Sequence, residues 1–497
     1  MNKRTFCIAL LTLIIFKLSA QNKEEQLIDN FILESLDQFK EIPSLAIAVI
    51  KDGKPFFTKT YGYSNVEDGV NASNQTSYYI ASVTKPFVGL LAANLEADGV
   101  LNLDESIANY KPIKHFKNKA LFENISIRNL LSHTSGIKNN LLSWKYANIG
   151  EYSSSSMKKL LEDKTSSSYN NKSFSYDNFG YNVLDIILQD EFGLSWKKLL
   201  EKEICVPLEM KHTSAFISKA KKKNWDIALP YAAINDEKLP KLVSTQKNDE
   251  TFQAAGGVVS SINDMQNFLL MYMNKGLVKD KTVFDESIIT TTLSPIAENK
   301  GRKGLFQPVS HGLGWNIGKF NEEKVYYHSG GFDGFFSHMS FLPNKNIGIV
   351  VLANENHFGD NVSNLITAFT YHLLLGKINA ISDYQNEVKK VEARISQLQK
   401  AFERDRRKRA KRNWTLMHDF KNYTGIYKNE HIGNLVITVK EEDIEAKLGI
   451  SKAIASPSAN DESIRVEFRN GSGRDILFIS NKNGTMAAVY NGYVFLK

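Results

Sequence analysis

The residues most able to do chemistry are Ser82 and Lys85, which lie three positions apart in the run Tyr78–Pro86. On a helix, positions i and i+3 share a face, so the Lys85 amine can reach the Ser82 hydroxyl. A desolvated amine at that distance accepts the hydroxyl proton and makes the serine a nucleophile for acyl groups. The pair therefore predicts a serine hydrolase.

The Ser-x-x-Lys spacing is weak evidence alone, and its context favours Ser82. An apolar, strand-like segment precedes Ser82, and Phe87–Leu95 is apolar enough to form a buried helix. Ser82 would then lie near the first turn, where free backbone N–H groups stabilise negative charge. Pro86 is tolerated only near a helix start and supports this boundary. The other copies predict exposed faces or loops: Ser135/Lys138, Ser155/Lys158, Ser195/Lys198, Ser218/Lys221 and Ser244/Lys247.

A phenol and a carboxamide two residues apart, Tyr176 and Asn178, are candidates to move the serine proton onward. If this segment is a loop or short strand that enters a helix at Phe179, both side chains point towards one cleft. The segment 180–187 has the pattern of a buried helix, which favours this copy of the motif. Three other copies lack that context: Tyr63/Asn65, Tyr146/Asn148 and Tyr169/Asn171.

The third candidate segment is His328-Ser329-Gly330-Gly331, which ends a strand-like stretch before a turn at residues 332–334. Two adjacent glycines let a substrate carbonyl approach the backbone closely. The N–H groups of Gly331 and Ser82 would together form an oxyanion hole. An isolated histidine more often has a packing or capping role, and that alternative stays open for His328.

Taken in order, these segments resemble the serine β-lactamase and penicillin-binding-protein superfamily, in particular its class C-like branch of peptidases and esterases. The resemblance covers roughly residues 25 to 378 and includes Leu131–Gly136, Ala255–Ser261 and Gly312–Trp315. It implies an α+β fold, in which an antiparallel sheet is flanked by helices and carries an all-helical subdomain.

The same resemblance implies roles for the site residues. Ser82 would be the acylated nucleophile, and Lys85 and Tyr176 would relay its proton. Burial and neighbouring positive charge would keep Lys85 neutral, but which of the two bases holds the proton at each stage stays open. The residues left would bind substrate: Asn178, His328, Ser329, Gly330 and Gly331.

One departure from the family pattern bears on the substrate. His328 stands where β-lactamases and DD-peptidases usually have a lysine, whose permanent charge attracts a substrate carboxylate. A histidine is largely neutral at pH 7 unless its surroundings perturb it, so binding of carboxylate-ended substrates should weaken. We therefore expect a peptidase or esterase, with D-amino-acid peptides or small esters as substrates. A β-lactamase or DD-carboxypeptidase is the alternative.

The elements that must position these residues come from both ends of one domain. Ser44–Ile50 and Pro55–Tyr61 predict an early hairpin, and strands return at Val325–His328, Phe336–Phe341 and Ile347–Leu352. Residues 105–275 between them are mostly helical in pattern. We expect one antiparallel sheet assembled from these two sets of strands.

A second, smaller unit follows. Asp383–Arg412 predicts a charged linking helix, and from about Tyr423 onward short alternating segments predict a small all-β barrel or sandwich. The expected domains are a hydrolase at 21–378, a linker at 379–415 and a β-rich tail at 416–497. With 497 residues and 42% hydrophobic content, the chain is long enough for two cores.

The first twenty residues predict an export signal, with Lys3 and Arg4 ahead of an apolar run and a cleavage point after Ala20. A retained membrane anchor is the alternative. After cleavage Cys205 is the one remaining cysteine, which excludes an intrachain disulfide. We expect a periplasmic or secreted bacterial protein.

The net charge of +8 owes much to Arg404–Arg412, which supplies nearly that excess. Such a run is usually a solvated helix face. Contact with an anionic cell-envelope surface is the alternative, and it motivates a second hypothesis, a non-catalytic envelope-binding protein. A nucleic-acid partner is poorly compatible with export. The oligomeric state stays open.

The sequence predicts neither a metal nor a cofactor. The histidines are scattered and there is no His-Glu-x-x-His segment. His133, His311 and His338 are expected to be structural. No glycine-rich phosphate loop follows a strand.

Overall fold

The computed structural model describes residues 23–150, 153–167, 173–234, 240–245, 247–441, 443–480 and 486–497. The predicted export signal at residues 1–20 lies outside these ranges. Within them, no helix combines the length and apolar character needed to cross a membrane.

A nine-stranded antiparallel sheet forms the centre of the larger unit. The strand Ser44–Lys51 pairs with Lys54–Asn65 on one side and with Ile347–Ala353 on the other. The sheet is therefore assembled from both ends of the domain, and the predicted α+β class is confirmed. The strand order is Ala297–Glu298, Gln307–His311, Asn316–Phe320, Glu323–Phe332, Phe335–Leu342, Ile347–Ala353, Ser44–Lys51, Lys54–Asn65, Val70–Asn71.

Helices cover both faces of this sheet, which explains why Ser44–Lys51 is almost wholly buried. Side chains alternate along a strand: Ile47 and Val49 enter one apolar cluster, whereas Ala46 and Ala48 enter the other. The first cluster packs against helices at 23–38 and Gly359–Leu374, whose Phe31 and Phe369 rings stack with centroids 3.9 Å apart.

The opposite face is covered by Thr84–Ala97, called here the nucleophile helix, and by Ile262–Met273. The rings of Phe87 and Phe268 stack between these two helices at 3.7 Å. Further helices form the predicted helical subdomain and its flank: Lys111–Lys114, Ile127–Leu131, Asn140–Asn148, Ser154–Lys164, Phe179–Phe192, Trp196–Leu199, Leu200–Cys205 (a π-helix), Ile217–Lys222 and Glu286–Leu293.

The linking helix spans Ala380–Arg409, a few residues earlier at each end than its charge pattern predicts. It packs one narrow face on the hydrolase unit, where Tyr384 and Ile395 are buried in the first cluster. Most of its remaining surface is exposed. It therefore runs along the larger unit instead of standing free in solvent.

The tail is a second nine-stranded antiparallel sheet that curls into a nearly closed barrel. It touches the hydrolase unit directly: the Lys145 ammonium donates to His431 O over 2.9 Å, and Ile450 N–H donates to Asn148 O over 3.3 Å. The domain limits at 379 and 416 remain a proposal. The strand order is Ser451–Ile454, Asp443–Leu448, Gly433–Lys440, Gly425–Asn429, Tyr493–Leu496, Met486–Tyr490, Arg474–Ser480, Ser463–Val466, Ser456–Pro457.

We predict that Gly89→Ala destabilises the fold by about 1–3 kcal/mol, the usual cost of overpacking a core. A Cβ built on Gly89 would lie 2.3 Å from Leu313 O, a backbone atom that cannot yield as a flexible side chain would. The urea unfolding midpoint measures the loss. Gly304→Ala is the matched control, since its Cβ would meet no atom within 4 Å. An unchanged midpoint in Gly89→Ala would contradict the close packing of the nucleophile helix against Leu313.

Candidate active site

Ser82 lies in the short 3₁₀ turn Ala81–Val83, directly before the nucleophile helix, close to the predicted first turn. The strand Ser77–Tyr79 leads into this turn and pairs with Val259–Ser261. Ala81 adopts a left-handed backbone at φ 44°, a conformation that costs a non-glycine residue free energy. Ser82 itself stays partly exposed, so its hydroxyl is accessible to a substrate.

Lys85 is fully buried beneath Ser82. Its ammonium donates to Ser82 Oγ at 3.1 Å, to Asn178 Oδ1 at 2.7 Å and to Ala255 O at 2.8 Å. An ammonium group has three protons, and these three acceptors use all of them. None of the acceptors is a carboxylate, so the lysine is held by neutral groups.

Burial lowers the pKa of Lys85 from 10.5 to about 7. The charge of Asp177 acts in the opposite direction. Burial is thus the dominant cause, as expected, but the neighbouring charge is the negative one of Asp177 and not the positive one that the resemblance implies. Asp177 was missed, although it lies between Tyr176 and Asn178. Its own burial raises its pKa to about 6, and hydrogen bonds from Gly180 and Phe179 N–H oppose that rise.

The Tyr176 hydroxyl donates to Ser82 Oγ over 2.9 Å. About 45% of the residue is exposed, yet the protein around its hydroxyl raises the pKa of the phenol above its ordinary value of 10. The phenol is then neutral at pH 7, where Lys85 is close to its midpoint. This arrangement favours Lys85 over Tyr176 as the group that takes the Ser82 proton.

The segment 328–331 lies in the strand Glu323–Phe332, beside the turn that carries Ser82. A Cβ built on Gly330 would lie 2.3 Å from Ile80 O and 2.8 Å from Ser82 N, so only glycine fits here. A Cβ on Gly331 would meet nothing within 4 Å. The strand therefore abuts Ser82 through Gly330, while Gly331 faces open space.

His328 is buried, and its Nδ1 lies 2.8 Å from Ser329 O. A carbonyl oxygen only accepts, so Nδ1 carries the proton and Nε2 is an acceptor. Burial, together with the charge of Lys85, lowers the pKa of His328 well below 6.5. The site therefore presents a neutral imidazole at this position, in agreement with the sequence argument.

Behind the same strand, Ser329 Oγ lies 3.0 Å from His338 Nδ1. His338 Nε2 contacts Ser340 Oγ at 2.9 Å, and Ser340 Oγ contacts the Tyr371 hydroxyl at 2.8 Å. These contacts lead from Ser329 into the core and fix the position of its side chain. His338 is structural in this respect, as expected.

Two histidines that the sequence analysis treated as structural lie at the site. The ring of His133 is 4.5 Å from that of Tyr176 and 4.9 Å from that of His311. Burial lowers the pKa of both, to about 4 for His311. Two neutral imidazoles thus stand behind Tyr176. The signal that could have placed them is their position in or beside the family-like stretches Leu131–Gly136 and Gly312–Trp315.

The structure brings Ser82, Lys85, Tyr176 and Asn178 into direct contact, with Gly330 against Ser82 and the His328 ring 6.2 Å from that of Tyr176. The Ser329 side chain contacts His338 instead, and Gly331 faces open space next to Gly330. In the described ranges, no three His, Cys, Asp or Glu side chains are grouped to hold a metal ion. Ser82 Oγ contacts both the Lys85 amine and the Tyr176 phenol, an arrangement that can activate a serine for acyl transfer.

Comparison with known proteins gives a family match over most of the larger unit. The family model described as Beta-lactamase matches residues 32–369. Protein flp of Staphylococcus aureus (strain NCTC 8325 / PS 47) is 30% identical over 349 residues, or 67% of this chain, and the chain spans 64% of that relative's length. A protein named Beta-lactamase from Providencia stuartii is 24% identical over 370 residues, covering 69% of this chain and 90% of its own.

Solved structures share the fold. The octameric penicillin-binding protein homologue from Pyrococcus abyssi is 23% identical with a TM-score of 0.60, covering 95% of this chain and 99% of its own. The D-amino acid amidase from Ochrobactrum anthropi SV3 is 18% identical with a TM-score of 0.54, covering 68% and 98%. The first similarity includes the tail as well as the larger unit.

We predict that Lys85→Met raises the melting temperature, and more at about pH 6 than at about pH 9. The pKa of Lys85 is about 7 when folded and 10.5 ordinarily, so the folded chain binds its proton more weakly. That cost to stability is complete below pH 7 and declines as the pH rises towards 10.5. Differential scanning fluorimetry measures it.

The exposed Lys411→Met is the control, and its melting temperature should not change. A loss of stability in Lys85→Met that is larger at the lower pH would contradict burial as the cause of the shift.

Proposed function

The chain belongs to the Beta-lactamase family, and from that premise we propose that it is an exported serine hydrolase that forms an acyl-enzyme on Ser82. Serine acyl transfer is the general chemistry of this family. The observation that carries the proposal is the pair of contacts on Ser82 Oγ, 3.1 Å from Lys85 Nζ and 2.9 Å from the Tyr176 hydroxyl. A structural serine has no need of a buried amine with a pKa of about 7.

In the acylation step, neutral Lys85 accepts the Ser82 proton while Ser82 Oγ attacks the carbonyl carbon of an amide or ester. The tetrahedral oxyanion accepts hydrogen bonds from the N–H groups of Ser82 and Gly331, each worth about 3 kcal/mol. Tyr176 donates a proton to the leaving group and is reprotonated from Lys85. Water then attacks the acyl group by the same route and releases Ser82.

Asn178 has two tasks in this scheme. Its Oδ1 accepts from Lys85, which fixes the ammonium beneath Ser82. With the oxygen so engaged, the amide NH₂ is the group available to a substrate carbonyl. That orientation supports its assignment to substrate binding.

The substrates we propose are peptides, including those with D-amino acids, or small esters. The neutral His328 supports this choice, because a cleft without a fixed cation there gives little attraction to a terminal carboxylate. One structural relative is named a D-amino acid amidase. The alternative is a β-lactamase or DD-carboxypeptidase, and the relative from Providencia stuartii named Beta-lactamase favours it. Turnover of nitrocefin, D-Ala-D-Ala peptides, short-chain esters and D-aminoacyl amides ranks these options.

The basic run Arg404–Arg412 supports a further proposal, contact with an anionic envelope surface. Part of this run already has partners, since Arg409 is nearly buried and contacts Asp405 and Glu467. Arg404, Arg406 and Arg407 are exposed, and Arg407 is paired with Glu403 on the same helix. A non-catalytic envelope-binding protein is therefore the weaker candidate, although it predicts cell-wall binding that survives Ser82→Ala.

We predict that a fluorophosphonate adds one adduct mass to the wild-type chain and none to Ser82→Ala, because Ser82 Oγ contacts both the Lys85 amine and the Tyr176 phenol. Intact-mass spectrometry measures the adduct. Ser155→Ala, from an exposed copy of the spacing, should label like the wild type. A labelled Ser82→Ala, or a wild type that resists every acylating probe, would refute the proposal.

We predict that His328→Lys raises kcat/KM for a peptide ending in a carboxylate, relative to its C-terminal amide, by about tenfold. A new charge-assisted hydrogen bond of about 1.5 kcal/mol accounts for that ratio. His328→Gln, which stays neutral, is the control and should leave the ratio unchanged. If His328→Lys also leaves it unchanged, His328 does not contact that end of the substrate.

A further inference from the structure

A second buried lysine, Lys247, lies beside the hairpin that carries Gly331. Its segment is predicted to be an exposed face or loop; it is a loop, but the lysine is only 8% exposed. Its Nζ lies 4.8, 4.5 and 4.3 Å from the ring centroids of Tyr79, Phe332 and Phe335. We call these three rings the Lys247 cage.

The cage joins the two sides of the oxyanion hole. Tyr79 ends the strand that leads into the Ser82 turn, and Phe332 directly follows Gly331. The N–H groups of Ser82 and Gly331 must point at one oxygen. Each belongs to a segment that contacts Lys247, through Tyr79 before Ser82 and through Phe332 after Gly331. A small shift of one segment relative to the other would misplace a donor.

Lys247 also bonds to the turn itself. Its ammonium donates to Asp333 O over 2.8 Å. Asp333 and Gly334 form the two-residue turn between Phe332 and Phe335. Gly334 has φ +81° and packs against Pro230, and its N–H donates to Asn356 Oδ1 over 2.9 Å. The turn is therefore fixed on both of its residues.

The tail reaches the same turn. Arg469 Nε lies 3.5 Å from Asp333 Oδ2, and its guanidinium carbon lies 5.6 Å from the Phe332 ring. Phe468 O accepts a hydrogen bond from Thr245 Oγ1, two residues before Lys247. A cation from each unit thus contacts Phe332, with Lys247 the closer of the two.

An apolar side chain would fill the cage at a lower cost. Burial lowers the pKa of Lys247 to about 7, with Asp333 opposing this effect and Arg469 adding to it. Replacing buried ionic groups by apolar ones of similar volume is often neutral or stabilising. What a methionine cannot supply is the hydrogen bond to Asp333 O. Stability alone therefore does not explain a lysine at this position.

We propose that Lys247 is a positioning residue for the oxyanion hole: it holds the end of the Gly331 strand against the segment that carries Ser82, and Arg469 of the tail adds a second contact to the same turn. This inference rests on the proposed acyl transfer at Ser82. It assigns a lysine outside all three sequence motifs, and a tail arginine, to the support of that reaction.

The test compares Lys247→Met with Lys145→Met in the full-length chain. Lys145 is also a buried lysine and donates to a tail carbonyl, but it bonds to His431 and not to the turn. Fluorophosphonate inactivation of Ser82 forms a tetrahedral adduct that needs the oxyanion hole. We expect its maximal rate to fall 10- to 100-fold in Lys247→Met, since one donor accounts for 10²- to 10³-fold, with the reversible binding constant unchanged. Lys145→Met should keep the rate.

Hydrogen exchange provides a readout that does not depend on activity. We expect amide exchange in residues 329–336 to accelerate at least tenfold in Lys247→Met and not in Lys145→Met. Arg469→Met removes a half-exposed side chain and should slow inactivation a few-fold, which keeps the test decisive if Lys247→Met folds poorly.

An unchanged inactivation rate in Lys247→Met, or equal effects of both lysine variants, would overturn the inference. If Ser82 takes no label even in the wild type, the proposed function fails; the exchange measurement then still decides whether Lys247 holds this strand end.

Discussion

The site depends on the burial of the Lys85 ammonium among neutral acceptors. A charge removed from water without a carboxylate partner loses more solvation than three neutral hydrogen bonds restore. That imbalance brings the pKa to about 7 and gives the protein an amine that is free to exchange its proton with Ser82. The burial that makes Lys85 reactive therefore also lowers the stability of the folded chain. The packing of the rest of the fold must offset that cost.

Close packing of backbone against backbone contributes to that stability. Gly314 places its Cα where a Cβ would lie 2.5 Å from Lys85 O, and Gly180 does the same at 2.4 Å from Leu130 O. These contacts seat the nucleophile helix against the segment of Gly314, and the helix after Asn178 against the segment of Leu130. The groups that meet on Lys85 come from three separate stretches of the chain: the side chains of Ser82 and Asn178 and the main-chain carbonyl of Ala255.

The sequence predicts the parts of this structure whose signals are local. The hairpin at Ser44, the helix after Ser82 and the ordered motifs could be recognised because period, turn residues and spacing lie within short windows. Lys247 could not, since a polar loop gives no sign that three aromatic residues from other strands will surround it. Asp177 and His133 lie within recognisable motifs, but the effect of Asp177 on the pKa of Lys85 and Tyr176, and the packing of His133 against the Tyr176 ring, depend on burial and contacts that spacing does not reveal.

The pairing of the first strand with the last has a consequence for how the chain folds. Ser44 N–H bonds to Asn354 Oδ1 across 310 positions of sequence, and the strand Ser44–Lys51 gains its second neighbour only from Ile347–Ala353. Such long-range closure carries a large entropic cost before any contact rewards it, so folding rates should be slow for the size of the domain. Until the late strand arrives, an apolar β-edge stays open to mispairing with other chains. We therefore expect the yield of refolded protein to fall as the protein concentration rises.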